Sequence, residues 1–215
     1  MIITKKGATI AFTPQWLRDN PDPPVFRLRV GSLSERDLFE ATLDGEYDAA
    51  PVYDFILRAA ALAGVAALGG DDAAALTDLV SADFGDDGEI SPVDRATLDG
   101  LYAILLDHWP EYRSLRKQAA RRQKLMPTLA FVTWCAGWSN VTDSRGVAVE
   151  FDAGPTGKPS DECLRCIPDL MLAIAGSEAL AMQYGRGEEK NSAPPSPSAA
   201  TGESSSSDSG PATAG

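Results

Sequence analysis

The chain has 215 residues, 44% of them hydrophobic, with 19 basic and 31 acidic side chains and a formal net charge of −12 at pH 7. This is the composition of a globular protein, and its acidic excess argues against nucleic acid or an anionic membrane as the main partner. Three cysteines are too few for a disulfide scaffold, which predicts free thiols in a reducing compartment.

The first part of the chain, residues 1–31, predicts a small β element. Apolar residues at 2–3 and 8–12 flank a Lys-Lys-Gly turn at 5–7, the pattern of a hairpin. No early segment joins a basic start to a long apolar stretch and a cleavage site, so we expect no signal peptide. A second strand is predicted at 25–30, where alternation places three apolar residues on one face: Phe26, Leu28 and Val30.

Helices are predicted from residue 32 onward. Capping-box spacings at Ser32–Glu35 and Ser34–Asp37 open the first helix, which ends at Gly45 and turns Leu38, Phe39 and Leu43 to the core. The second runs from Pro51, in its first turn, to Leu68. It is apolar almost all round, with only Asp54 and Arg58 polar, which indicates a helix central to the fold.

Three more helical segments follow. A short helix is predicted at 71–82, and Ser91-Pro92 is an N-cap with proline at the first helical position of the next. Its residues at helical spacing are Val93, Leu101, Ile104, Leu105 and His108. A long helix spans 110–137, bent at Pro127 and stopped by Gly137. The apolar stretches 59–68 and 125–138 are too short to span a membrane and predict buried helices.

The last folded segments combine a turn and a divided helix. Residues 139–151 predict a hairpin-like excursion, and 160–184 a helix divided at Pro168, with core residues Leu170, Met171, Ile174, Leu180 and Tyr184. From residue 186 the chain has only small, polar and charged residues, which predicts a disordered tail. The fold class is therefore mainly α: an N-terminal β element at 1–31, a helical domain at 32–185 and a disordered tail at 186–215.

Few residues suggest catalysis or metal binding, and we predict no catalytic, cofactor or metal site. The chain has a single histidine, His108, and no glycine-rich phosphate loop or nucleophile elbow. Cys163 and Cys166 form one CxxC, which lacks the two further ligands of a zinc motif. Residues 83–94 resemble a calcium loop, but the third position is Gly85 and the twelfth is Asp94, so we favour an acidic surface loop.

Two patterns suggest a partner surface. Residues 40–108 hold fifteen acids against Arg58 and Arg95, a net of −13, whereas 113–124 hold six bases and no acid. Four of these bases fall on one side of the long helix as a candidate docking stripe for an acidic partner: Arg113, Lys117, Arg121 and Lys124. The alternative, which we favour, is that this face is solvated or neutralised by the acidic region of the same chain.

Apolar candidates for partner binding lie on the same long helix. They are Leu115, Met126, Trp134 and Trp138. The two tryptophans, four residues apart, share a face of the predicted helix and suit anchors on a partner. The alternative is that the pair belongs to the core, as large aromatics usually do, and we favour it.

One set of motifs resembles a known family. A Gly-Trp pair at 137–138 precedes an acid-x-x-Gly turn at 143–146, an apolar strand ending in Phe at 147–151, a helix containing Pro168 and a polar tail that includes Glu-Lys-Asn-Ser at 189–192. This succession resembles the tail assembly chaperones of long-tailed bacteriophages. The segment FRLRVGSLSERDLFEA at 26–41 is similar to their N-terminal part. The resemblance does not extend to residues 47–108.

The resemblance implies a non-catalytic protein of the host cytoplasm that is absent from the mature virion. Such chaperones bind the tape measure protein, and tail tube protein as well, and keep them soluble before the tail polymerises. They often occur with a longer frameshifted form, which would be a further partner here, and an oligomer is compatible with the role. No nucleic acid, membrane or cofactor is implied.

Two alternatives remain open on the sequence. One is a virion structural protein, either a tail completion or a head–tail connector subunit. The other is a calcium-responsive binding module built on residues 83–94. An enzyme would need an acid or base pair that the sequence does not present.

Overall fold

The computed structural model describes residues 8–85 and 90–184. Within them, the chain forms seven α-helices and a small antiparallel sheet of three strands, so the predicted mainly α class is confirmed. The buried side chains form two hydrophobic clusters. The residues predicted as the first strand of a hairpin, and the tail at 186–215, lie outside the described parts of the chain.

The sheet has the order β1 (Thr9–Phe12), β2 (Val25–Arg29) and β3 (Cys135–Ser139), with both neighbouring pairs antiparallel. Alternation along β2 buries Phe26 and Leu28 completely and leaves Arg27 exposed, which confirms the predicted half-buried strand. Because β3 comes from the far side of the helical region, the predicted N-terminal β element shares its sheet and its core with the predicted helical domain.

The third strand corrects the prediction that the long helix continues to Gly137. The helix ends at Trp134, and Cys135 is already extended, with φ −79° and ψ 121°. Residues 135–139 instead pair with β2, where the register shifts between Arg27 and Leu28. Gly137, at φ +152°, takes a conformation that side chains rarely adopt in such an irregularity. Pairing with β2 therefore overrides the helical pattern of the sequence.

The first helix, α1 (Leu33–Gly45), begins with the predicted capping box. The backbone N–H of Glu35 donates to Ser32 Oγ at 3.2 Å, and the N–H of Ser32 donates to Glu35 Oε2 at 2.7 Å. Phe39 and Leu43 are buried as predicted, whereas Leu38 is 66% exposed and does not belong to the core. Leu38 is exposed because it lies beside the helical stripe of Phe39 and Leu43, which packs into the core against α5.

Helices α2 (Asp54–Leu68), α3 (Ala73–Asp83) and α4 (Pro92–His108) form the acidic part of the fold. Pro51 lies before α2 and not in its first turn, which is a correction, while the N-cap at Ser91 is confirmed. The expectation that α2 is central holds for one face only. That face buries Leu57, Ala60, Ala61, Gly64 and Val65, and the opposite face is exposed.

The long helix α5 (Pro110–Trp134) joins the two hydrophobic clusters. Its first turns contribute Tyr112 to the cluster formed with α2, α3 and α4, and its last turns contribute Ala130, Phe131 and Trp134 to the cluster formed with the sheet, α1 and α7. The helix continues through Pro127. The two clusters are therefore connected by one rigid element whose middle, 116–124, carries no buried residue.

The excursion after β3 is hairpin-like, as predicted. The N–H of Asp143 donates to the carbonyl of Val147 and the N–H of Val149 to that of Val141, both at 2.8 Å. The chain then forms α6 (Asp161–Cys166) and α7 (Asp169–Tyr184), divided at Pro168 as predicted. Leu170 and Tyr184 are exposed, which corrects their assignment to the core.

Candidate partner-binding surface

An apolar groove of about 370 Å³ lies between α1 and α5 and is called here the α1–α5 groove. Its apolar lining comes from both helices: Leu38, Phe39, Leu129 and Val132. Leu38 was expected in the core and instead stands at the edge of the groove with two thirds of its surface exposed. An open apolar depression of this kind suits an apolar side chain or helix of another polypeptide.

Polar groups border the α1–α5 groove at defined positions. Arg29 forms an ion pair with Glu35 at 2.7 Å and donates a hydrogen bond to the carbonyl of Thr133 at 2.9 Å, so it connects β2, α1 and α5. The pKa of Glu35 is lowered, first by the backbone N–H of Ser32 and then by Arg29. Lys158 also borders the groove. The groove thus has a charged rim around an apolar floor.

A pH dependence follows from Glu35. Because its pKa is lower in the folded state, its stabilising contribution is present at neutral pH and is lost as the pH falls through the folded pKa. We expect Glu35→Gln to lower the free energy of unfolding most at neutral pH, with the difference from the wild type shrinking in acid. Urea unfolding over a pH series measures this. The control is Asp37→Asn in the same helix, and an equal loss at every pH would contradict the prediction.

Two of the four predicted basic docking residues are used inside the chain. Arg113 donates to the carbonyl oxygens of Leu106 and Asp107 and so caps the end of α4. Arg121 forms an ion pair with Asp48 at 3.1 Å and donates to the carbonyl of Tyr47. Neutralisation by the acidic region of the same chain therefore describes Arg121, whereas Arg113 is occupied by backbone carbonyls.

The neighbours of Arg121 hold the same loop between α1 and α2. Arg122 pairs with Glu40 at 2.5 Å and donates to the carbonyl of Ala49, and Gln118 donates to the carbonyl of Ala50. Carbonyls at the end of one helix and before the next are thereby satisfied by side chains of α5. The basic run thus fastens the α1–α2 loop to the long helix.

The other two predicted basic residues remain exposed. Lys117 and Lys124 lie on α5 and, like Arg116, make no ion pair with any residue in the described part of the chain. These three cations are available to a partner.

The four predicted apolar contact residues face inward to different degrees. Trp134 is fully buried and Trp138 is 7% exposed, while Leu115 and Met126 are half-buried and pack against the two clusters. The prediction that the tryptophans share one helix face is wrong, because Trp138 lies in β3. Its Nε1 donates to the carbonyl of Val149 at 2.7 Å, and its ring contacts Phe151 edge-on.

The other candidates for chemistry are the calcium-like segment and His108. The carboxylate of Asp83 accepts from Tyr102 at 2.6 Å and pairs with Arg95 at 2.7 Å, and that of Asp94 accepts from Ser91. Residues 86–89 of the calcium-like segment lie outside the described parts of the chain. His108 is exposed in the last turn of α4.

The cysteines differ in exposure. Cys135 and Cys163 are buried, and Cys166 is exposed. Burial raises the pKa of the Cys135 thiol to about 12, so it is protonated at neutral pH. Across residues 8–85 and 90–184, no three His, Cys, Asp or Glu side chains are grouped as metal ligands. No helix in these ranges has the length and apolar character needed to cross a membrane.

Sequence reasoning missed the residues that shape the surface. Leu38 and Val132 line the α1–α5 groove, and Phe55 stands exposed on α2. The sequence signal for such a residue is an apolar side chain that lies beside the main apolar stripe of its helix and not within it. Comparison of the chain with known protein families, with curated proteins and with solved structures finds no match.

Proposed function

We propose that this chain is a tail assembly chaperone of a long-tailed bacteriophage, acting without catalysis in the host cytoplasm. It would bind the tape measure protein and tail tube subunits, keep them soluble before the tail polymerises and remain outside the mature virion. The observation that carries the proposal is the α1–α5 groove, an apolar site open to solvent on a chain with a net charge of −12. The family resemblance supplies the identity of the partners.

The charge of the chain supports a holding role. Long apolar helices of a tail protein associate with one another unless their apolar surface is covered. A groove can take an apolar helix side chain, and the net negative charge keeps the resulting complex soluble by repulsion between complexes.

Co-expression with a tape measure protein of a long-tailed phage tests the role of the α1–α5 groove. We expect the wild type to bring that protein into the soluble fraction and Leu38→Glu, which places a charge at the groove edge, to lose at least tenfold of this effect. The control is Leu170→Glu, an equally exposed leucine on α7 outside the groove. Equal solubilisation by both variants would contradict a role for the groove.

The wider proposal is tested on purified particles. Mass spectrometry of virions should find no peptides of this chain, whereas stoichiometric recovery would favour the structural alternative, a tail completion or connector subunit. Failure of the wild type to solubilise either tail protein, or to co-purify with it from infected cells, would overturn the chaperone role itself.

A further inference from the structure

One face of α2 is apolar and uncovered. Phe55, Ala59, Ala63 and Ala66 are exposed at helical spacing opposite the buried stripe, with the half-buried Leu62 between them. These five residues are called here the α2 face. Phe55 is 71% exposed, and its ring stacks on that of Tyr53, which is also exposed, with centroids 5.8 Å apart. Arg58, which is also exposed, borders these five residues on one side. A contiguous apolar face of this kind indicates an interaction site.

The surroundings of the α2 face are acidic. It belongs to the region 40–108, whose fifteen acids against two bases give a net of −13. In the described part of the chain, the nearby Asp54, Asp71 and Asp72 make no ion pair. Two α2 faces packed against each other would bring two such regions together, which like-charge repulsion opposes. The α2 face therefore suits a surface that is apolar in the middle and basic at its border.

The same chain carries a surface with that description. A shallow groove of about 320 Å³, called here the basic groove, is lined by Leu106, Arg116, Lys117, Ala119, Ala120 and Gln123. Leu106 and the two alanines form its apolar part, and Arg116 and Lys117 supply charge that is not paired among the described residues. Lys124, two turns after Lys117 on α5, adds a third unpaired cation.

The two surfaces cannot meet within one chain. The covered face of α2 packs toward α4 and α5, with Gly64 against Leu105 and Trp109, so the α2 face points away from its own α5. We propose that the α2 face of one copy docks into the basic groove of a second copy. The contact is therefore head-to-tail: one copy keeps a free basic groove and the other a free α2 face, so the assembly can extend beyond two copies.

Sedimentation velocity of the full chain tests the proposal. At about 0.1 M salt the Debye length is about 10 Å, which screens the net repulsion between copies and leaves close contacts in place. We expect the average mass to rise with concentration above the 22.7 kDa of one chain, and to return toward it at about 1 M salt, where charge contacts are screened. A chain that stays monomeric at all concentrations in about 0.1 M salt would overturn the proposal.

Two variants distinguish the head-to-tail contact from a symmetric one. Phe55→Ser removes the aromatic ring of the α2 face, and Lys117→Glu with Lys124→Glu replaces one cation of the basic groove and a second cation beside it with acids. Each variant alone should be monomeric, yet an equal mixture should form a dimer and no larger species, because each retains the surface that the other lacks. The controls are Leu170→Ser, and Arg18→Glu with Arg165→Glu, which should associate like the wild type. Far-ultraviolet circular dichroism checks folding.

The other outcomes would overturn the proposal. Loss of association in Phe55→Ser alone, with the lysine variant unchanged, would indicate a symmetric α2–α2 contact. No dimer in the mixture, or equal loss in the controls, would show that general charge governs association. None of these measurements involves a tail protein. A negative result would therefore overturn the head-to-tail contact only, and the chaperone role is decided by the co-expression experiment.

Discussion

We expect Gly176→Ala to be among the most damaging single substitutions in this chain. Gly176 lies in α7 against α5, and an added Cβ would overlap the carbonyl oxygen of Pro127 and stand 2.5 Å from its carbonyl carbon. A backbone group inside a helix cannot give way as a side chain can, so the two helices must separate. Their contact is the most extensive between any two elements of the described chain. The loss should reach the upper end of about 1–3 kcal/mol for overpacking, or exceed it.

The matched control is Gly100→Ala in the middle of α4. An added Cβ at Gly100 meets no atom within 4 Å, so the variant should gain about 0.5–1 kcal/mol from the lower flexibility of alanine in the unfolded chain and its better helix propensity. Urea unfolding of both variants measures the two free energies. Similar values for the two glycines would show that α5 and α7 do not pack as closely as described.

The second large effect is expected for Trp134→Ala. The indole is fully buried where β2, α1 and α5 meet, and it packs against Phe39 with ring centroids 4.7 Å apart. Removing a buried aromatic side chain costs about 3–5 kcal/mol through lost burial and the cavity left behind. This result would place Trp134 in the core and end its candidacy as an anchor for a partner.

A milder variant, Trp134→Phe, distinguishes the contribution of the packed aromatic ring to stability from that of the indole N–H. Its Nε1 has no hydrogen-bond partner within the described residues, so Trp134→Phe should retain most of the stability, because only volume is lost. Trp16→Ala, where the ring is half exposed, is the control for tryptophan removal and should cost far less. If the three variants were equally stable to urea, the site would not be a packed core.

The contacts made by the basic residues of α5 explain why one chain offers two separate surfaces, the basic groove and the α1–α5 groove. The basic residues of α5 divide into those that hold the α1–α2 loop, such as Arg121 and Arg122, and those that stay free, such as Lys117. Because the first group pairs within the chain, only the second contributes to the proposed head-to-tail contact. The α1–α5 groove lies elsewhere on α5, near Leu129 and Val132, and stays available to a tail protein.

Much of the local structure could be predicted from the sequence. The capping box at Ser32, the N-cap at Ser91, the β2 alternation and the break at Pro168 all occur as predicted, since each depends on residues within one turn or one strand. The candidate site was less predictable. Leu38 and Phe55 are large apolar residues of the kind that usually lie in a core. Nothing in a single sequence tells which apolar position on a helix has no other segment packed against it.

By itself, the sequence determined the mainly α class, most helix starts and the separation of an acidic region from a basic one, because periodicity, capping and charge are properties of short segments. Only the tertiary structure decided that the chain after Trp134 becomes β3, that Trp138 enters the core from a strand and that one side of α2 is exposed. Those outcomes depend on which distant segment supplies a hydrogen-bonding or packing partner, and the free energy of such long-range contacts outweighs local propensity.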